Sequence, residues 1–510
     1  MSEKKKFYIS TALPYVNYSP HAGFALEIIQ ADVIARHHRL LGEDVFFLTG
    51  TDENSLKNVQ AAEKEGISVK ELVDRNAGKF YDLKKVLNLS FDDFIRTTEE
   101  RHIKGAQKLW LACGEDIYKK KYRGLYCVGC EEFYKEKELK DGLCPEHKTK
   151  PELVEEENYF FKLSKYQNQL KKVIEQDKVK IIPQTRKNEV LSFINSGLRD
   201  FCISRLAERG QGWGIPVPGD PTQIFWTWFD ALSNYINVLG YAKDSKRFQE
   251  WWQENENKLH IIGKGILRFH AIYWIAMLLS AEINLPETIF VHGYLTVDNQ
   301  KMSKSLGNII NPFDLVKKYG TDPTRYFLLR EFSPFDDGDY TRQKLEERYN
   351  ADLAKGLGNL TARILTMAGK VNLKSKIQMS NQCQNGTSRF APCCVRTVGN
   401  CFAIIQNPNV KKEINKARES CKISLDNFKF NEALIAIWGL IGFCDKYIEK
   451  ERPWEESEKQ TIVINDLLIC LKEIAGLLQP FLPETSEKIF QQLKSGKKET
   501  LFPRIEAKDW

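Results

Sequence analysis

The sequence predicts an α/β fold, a doubly wound parallel sheet split by an insertion and followed by an all-α region, and three observations carry that prediction. A strand-helix-strand pattern opens the chain: "FYISTAL", then "FALEIIQADVIARHHRLLG" with apolar residues at helical spacing, then "DVFFLTGTDE". From about Cys113 to Pro183 the pattern breaks into short charge-rich pieces holding a cysteine cluster, and sheet-like and helical segments resume in "QIFWTWFDALSNY", "LHIIGKGILRFHAIYWIAML" and "TIFVHGYLTV". Beyond "SPFDDGDY", which reads as a hinge or domain edge, Leu345, Tyr349, Leu353, Leu357, Leu360, Ile364 and Leu365 recur every three or four positions, as in one long amphipathic helix.

Taken in order, the first turn is "SPHAGF". Ser19 suits a helix N-cap and Pro20 the first helical position, so His21 to Gly23 are expected at an exposed N-terminus that attracts anions. Lys4-Lys5-Lys6 ahead of "FYISTAL" mimics a signal peptide, but Pro14 and Asn17 cut the apolar run short, and the segment reads as a buried strand. The longest apolar runs, Ala271 to Ala281 and Leu434 to Cys444, are half of the roughly 20 residues that a bilayer requires, so no membrane span is expected.

A chain of 510 residues that is 42% hydrophobic can bury a core in each of several domains. Twelve cysteines in a chain of this size do not read as a secreted disulfide scaffold, and a reducing cytoplasm is expected. The net charge of +7, with clusters at Lys119 to Lys121 and at Lys494, Lys497 and Lys498, permits a polyanionic partner without requiring one. The polar stretch Lys374 to Arg396 has no period and reads as a loop.

Two motifs carry chemistry. Cys127-x-x-Cys130 and Cys144-x-x-His147 are two hooks separated by thirteen residues, a spacing suited to a tetrahedral structural zinc with no open position. Cys113, Cys202, Cys383, Cys393, Cys394, Cys401, Cys421, Cys444 and Cys470 lack such partners and are expected to pack. "KMSKS", Lys301 to Ser305, places two lysines three apart beside hydroxyls, able to wrap phosphates; by itself a lysine-serine loop is more often a solvated turn.

"PHAGF" together with "KMSKS" resembles the paired nucleotide signatures of class I aminoacyl-tRNA synthetases. "TALPYVN", "FFLTGTDE", the Cys/Cys/Cys/His knuckle, "WFDALSNY", "GILRFHAIYW" and "FVHGYLTV" narrow the resemblance to the methionyl-tRNA synthetase family over nearly the whole chain. The resemblance implies a Rossmann-type catalytic domain (1–115 and 223–295), a connective insertion with a zinc knuckle (116–222), a "KMSKS" and stem-contact region (296–340) and a helical anticodon-binding domain (341–510). It implies ATP with Mg2+, L-methionine and initiator and elongator methionine tRNA as partners, in a cytoplasmic enzyme expected to be a monomer because the chain ends at Trp510 without an oligomerising module.

By the same resemblance His21, Lys301 and Lys304 are catalytic, neutralising the ATP phosphates while the methionine carboxylate attacks the α-phosphate; the 2′-hydroxyl of the terminal adenosine of the tRNA then takes the aminoacyl group. Gly23, Glu27, His292, Gly293 and Ser303 complete the ATP site. Asp52 pairs with the substrate ammonium, and Leu13, Tyr15, Trp228, Ala231, Tyr235, Ile266 and His270 surround the side chain, where aromatic rings and a thioether are natural contacts. Asn359, Arg363 and Trp454 read the anticodon, an exposed ring giving a base a stacking platform.

Three sites depart from the family pattern. Phe24 stands where the signature usually ends in His, Asn54-Ser55 replace His-Gly after "TDE", and Gly265 replaces the Asp of "GKD". Each is expected to remove a polar contact near the nucleotide, at a cost of about 1.5–3 kcal/mol if nothing compensates. The rival expectation is therefore a catalytically weak tRNA-binding paralogue that keeps the fold and the zinc.

Overall fold

The structure, a computed structural model, describes residues 4–127, 132–145, 148–302, 307–371, 405–455, 457 and 459–505. Its centre is a six-stranded parallel sheet. β1 (Lys6–Thr11), β2 (Asp44–Thr51) and β3 (Asp93–Arg96) form one half, and the order runs β3-β2-β1, then Lys258–Gly263, Thr288–His292 and Lys180–Ile182. Register is fixed by Tyr8 opposite both Phe46 and Lys258, and by Ile261 opposite Phe290. Being covered on both faces, the middle strands send apolar residues both ways: Tyr8, Phe46 and Leu48 enter one core, while Ile9, Phe47 and Ile261 enter the other.

Helices α1 (Ala22–Leu40), α2 (Leu56–Glu65), α3 (Val69–Val86) and α4 (Glu100–Ala112) make the first crossovers. The expected insertion holds a four-stranded antiparallel sheet in which Ile117–Cys127 and Glu152–Phe161 pair from Ile117 opposite Phe161 to Tyr126 opposite Glu152. One strand from within that span, Lys180–Ile182, returns to close the edge of the central sheet against Thr288 to Phe290. Its short length hid it from hydrophobic patterning.

The acidic turn "SPFDDGDY" is a fastening rather than a free hinge. Its strand Gly338–Tyr340 pairs with Leu295–Val297, and Asp337 accepts the Tyr294 N–H at 2.9 Å and holds Lys264 at 2.7 Å. The helix expected from the leucine spacing runs unbroken from Arg342 to Lys370 with a π-helical stretch, Tyr349–Gly358, inside it, and all seven apolar positions are buried. Helices Pro408–Asp426, Phe430–Glu451, Gln460–Leu478 and Pro483–Ser495 complete the bundle. The loop expected at 374–396 lies outside the described residues, as do Cys383, Cys393, Cys394 and Cys401. None of the helices among the described residues is long and apolar enough to cross a membrane.

The bundle and the sheet share one continuous core. Arg325, fully buried in the helix Thr321–Arg330, pairs with Asp32 of α1 at 2.8 Å and donates to the carbonyls of Leu87, Pro480 and Phe481. Phe428 of the bundle stacks on Phe290 of the sheet with centroids 4.6 Å apart.

Candidate active site

The first turn is built differently from the expectation. Helix α1 starts at Ala22 with His21 as its N-cap, and the imidazole Nδ1 accepts from the N–H of Gly23 at 3.0 Å and of Phe24 at 3.4 Å. Ser19 instead takes a hydrogen bond from Lys79 and Pro20 lies outside the helix. An imidazole acceptor satisfies the first amides as a serine oxygen would. Gly23 has to lack a side chain: a Cβ there would stand 2.9 Å from the His21 ring and 3.3 Å from the Met302 methyl group.

That last distance joins the two halves of the nucleotide signature. Met302, the second residue of "KMSKS", lies over Gly23 although 279 residues separate the two. Lys301 ends the strand Gln300–Lys301, whose backbone pairs with Thr296. Ser303 and Lys304 lie outside the described residues.

Phe24 does not face this cleft as a missing polar group. It is buried and meets Phe80 of α3 edge to face at 5.2 Å, inside the core beneath the helix. Gly265 also has a local reason, because a Cβ there would be 1.9 Å from the Tyr294 hydroxyl oxygen. Glu27 and His292 face each other at 2.9 Å, with Glu27 also accepting the Ala12 N–H and His292 Nδ1 placed 2.7 Å from the Gly293 carbonyl. Gly293 packs so tightly that a Cβ would meet the Asp336 carbonyl oxygen at 2.0 Å.

The residues expected around methionine converge. Tyr15 bridges Asp52 in parallel register, Asp52 donates its N–H to Pro14, and its Oδ1 lies 3.4 Å from the Asn54 N–H. Tyr15 approaches Trp228 at 6.4 Å edge to face, and Trp228 stacks on Phe269 at 3.8 Å. Ala231 and Tyr235 are buried on the two short helices that follow, while Leu13 and Ile266 are partly buried against the same core. His270, on a π-helical turn (Phe269–Trp274), donates from Nδ1 to the Ile266 carbonyl at 2.9 Å and accepts the Tyr235 hydroxyl at Nε2, 2.8 Å away. Burial holds it down at about 4, so the ring is neutral and its tautomer is set by its partners.

Asn359, Arg363 and Trp454 line one cavity of about 330 Å³, with Lys370 and Lys498 among its walls. Arg452, in the left-handed region at φ 44°, ends the helix Phe430–Glu451 and turns out Trp454, which is 52% exposed. Asp445 holds Arg363 at 3.0 Å.

Cys127 and Cys144 are both buried in the hairpin: Cys127 Sγ lies 3.8 Å from the Thr149 hydroxyl, and the Cys144 N–H donates to the Thr149 carbonyl. Cys130 and His147 lie outside the described residues, and among the described residues no group of three or more His, Cys, Asp or Glu is placed to hold a metal. Cys113, Cys202, Cys421, Cys444 and Cys470 are buried free thiols, as their spacing suggested.

Sequence reasoning missed a buried array behind the site. His102 Nε2 meets Asp230 Oδ1 at 2.6 Å and Asn54 Nδ2 donates to Asp230 Oδ2 at 2.7 Å. His102 and Asn54 lie 128 and 176 residues from Asp230, and no local signal connects them.

The family described as "tRNA synthetases class I (M)" matches residues 7–150 and 137–365, and "Anticodon-binding domain of tRNA ligase" matches residues 409–510. A methionine–tRNA ligase of Brucella suis biovar 1 is 41% identical over 500 residues, covering 96% of this chain and 92% of that protein. One from Fusobacterium nucleatum is 40% identical and covers 99% of this chain and 77% of its own. The Mycobacterium tuberculosis methionyl-tRNA synthetase, solved in complex with methionyl-adenylate, superposes with a TM-score of 0.85 at 37% identity, covering 98% of this chain and 99% of that one. The chain belongs to the methionyl-tRNA synthetase family of class I tRNA synthetases.

Proposed function

We propose that the protein activates L-methionine with ATP to methionyl-adenylate and transfers the methionyl group to the terminal adenosine of methionine tRNA, at its 2′-hydroxyl. The observation that carries the reading is the closeness of Met302 to Gly23, which brings the "KMSKS" strand end against the first turn of α1. In-line displacement at a phosphate asks chiefly for positioning and charge neutralisation. His21 sits at a helix start, where the backbone dipole favours anions, and the "KMSKS" sequence carries two lysines, Lys301 and Lys304, that would add two cations. Magnesium held by the nucleotide supplies the remaining charge neutralisation.

Asp52 receives the methionine ammonium and the Tyr15, Trp228 and His270 rings receive its thioether, in a pocket whose histidine is kept neutral. A thioether accepts only weak hydrogen bonds, so a neutral aromatic lining costs the least desolvation. Asn359, Arg363 and Trp454 address the anticodon, supported by their shared cavity. Cys127, Cys130, Cys144 and His147 would hold a structural zinc; support comes from two buried cysteines that both meet Thr149, Cys127 through its thiol and Cys144 through its backbone N–H. Thiolate and imidazole donors suit that ion.

Methionine-dependent ATP–pyrophosphate exchange by the purified protein, followed by charging of methionine tRNA, tests the reading. Tight tRNA binding with no exchange would establish the weak tRNA-binding paralogue instead.

A further inference from the structure

Asp230 touches neither end of the substrate site, yet it ties the two ends together. Both Asp230 and His102 are fully buried. Asp230 Oδ1 takes the His102 Nε2 hydrogen at 2.6 Å, and its Oδ2 takes the Asn54 side-chain amide at 2.7 Å. Asn54 donates the same amide to the Thr97 carbonyl at 3.2 Å and directs its backbone N–H toward Asp52 Oδ1 at 3.4 Å. On the other side Asp230 stands between Trp228 and Ala231 in the helix Thr227–Leu232. One carboxylate thus links the loop of Asp52 to the aromatic wall.

The link is itself braced. Ser233 donates to the Asp230 carbonyl at 2.7 Å, and Asn237 donates to the Ser233 hydroxyl at 2.7 Å and to the His102 carbonyl at 3.2 Å. Asn237 reaches α4 only because Gly105 has no side chain; a Cβ there would stand 1.9 Å from the Asn237 amide oxygen. Taking a carboxylate out of water is costly, and apolar residues could fill the same space more cheaply. What hydrogen bonds add over apolar packing is a fixed separation, because they lose strength steeply with distance and angle.

We propose that Asp230 is a positioning residue that sets the distance between Asp52 and the Trp228 wall, making the site a gauge of amino-acid length. This rests on the reading of Asp52 and Trp228 as the two ends of the methionine site. A substrate with an ammonium at one end and a thioether at the other is measured by that span, and an analogue one methylene longer is rejected by it. One methylene in an apolar pocket ordinarily separates substrates by roughly ten- to two-hundredfold.

The test is pyrophosphate exchange by full-length wild type, Asp230→Asn and Asn54→Ala with methionine and with ethionine, which is longer by one methylene. In Asp230→Asn the KM for methionine rises tenfold or more, the KM for ATP stays within twofold, and discrimination against ethionine falls at least tenfold. Asn54→Ala, which leaves Asp230 and His102 paired, shows the same split to a smaller extent. The proposal is overturned if both KM values rise together, or if thermal stability falls while discrimination is intact. Should Asp230→Asn fail to fold, undiminished discrimination in Asn54→Ala overturns it. Wild type lacking methionine-dependent exchange would sink the reading of the site itself, and the proposal with it.

Discussion

Glu27 of α1 and His292 of the strand Thr288–His292 lock the first helix to the far half of the sheet, Oε2 to Nε2 at 2.9 Å, both side chains less than 10% exposed. The other Glu27 oxygen holds the Ala12 N–H at 3.0 Å, at the exit of β1. Glu27→Ala strands a buried imidazole and a buried amide at once, and each buried polar group left unsatisfied costs about 1–3 kcal/mol. The urea midpoint is expected to fall accordingly. Glu27→Gln keeps one acceptor and falls by about half as much.

Phe24→His is expected to weaken the protein and gain no activity. The ring lies edge to face on Phe80 in the core, so an imidazole there has no hydrogen-bond partner and costs about 1–3 kcal/mol. Denaturation midpoint and exchange rate, measured on the same preparations, check both halves. A faster exchange in the variant would return Phe24 to the nucleotide site.

Acid should destabilise the fold through His270. Its folded value of about 4, set by burial, lies below the ordinary 6.5, so the unfolded chain binds the extra proton first. The stability it lends is complete above pH 6.5 and is lost as pH falls toward 4, a total on the order of 3 kcal/mol. His37, lowered by burial to about 4 as well, adds to the same window. In His270→Gln, whose amide can still pair with Tyr235, urea midpoints followed from pH 7 to 4.5 should decline less steeply by about one proton.

Trp454→Ala should separate the two half-reactions. The ring is half exposed in a cavity with Asn359 and Arg363 whose lining includes none of the residues assigned to the adenylate site. Stacking of a base on such a ring contributes about 1–3 kcal/mol, so the KM for tRNA is expected to rise about five- to one-hundred-and-fiftyfold. Exchange stays within twofold; equal loss in both assays would remove Trp454 from the anticodon pocket.

Much of this was legible in the chain, for identifiable physical reasons. The strand-helix-strand opening and the leucine spacing of 345–365 are local patterns, and burial enforces them. Steps of exactly four from Leu345 to Leu357 drift by about 40° each against a 3.6-residue turn. The π-helical stretch at Tyr349–Gly358 lies over that drift, a detail that the spacing contained and a search for α-helix passed over. Phe24 was misplaced because a motif gives position along the chain and not the direction of a ring. Asn54 was legible only as a departure from the family pattern, and its partnership with His102 and Asp230 was not: polar residues scattered over three segments acquire a shared meaning only when the fold brings them within 3 Å.

Arg325 bears on how freely such proteins can be recombined. Its guanidinium is satisfied half by the sheet side, through Asp32 and Leu87, and half by the backbone of Pro480 and Phe481 in the bundle. Residues 1–340 expressed alone would keep the buried cation and lose two of its acceptors, while baring Phe290 where Phe428 had covered it. The bundle is therefore no detachable reader: a chimera that borrows it from a relative inherits a working joint only if the donor turn presents those two carbonyls at the same height.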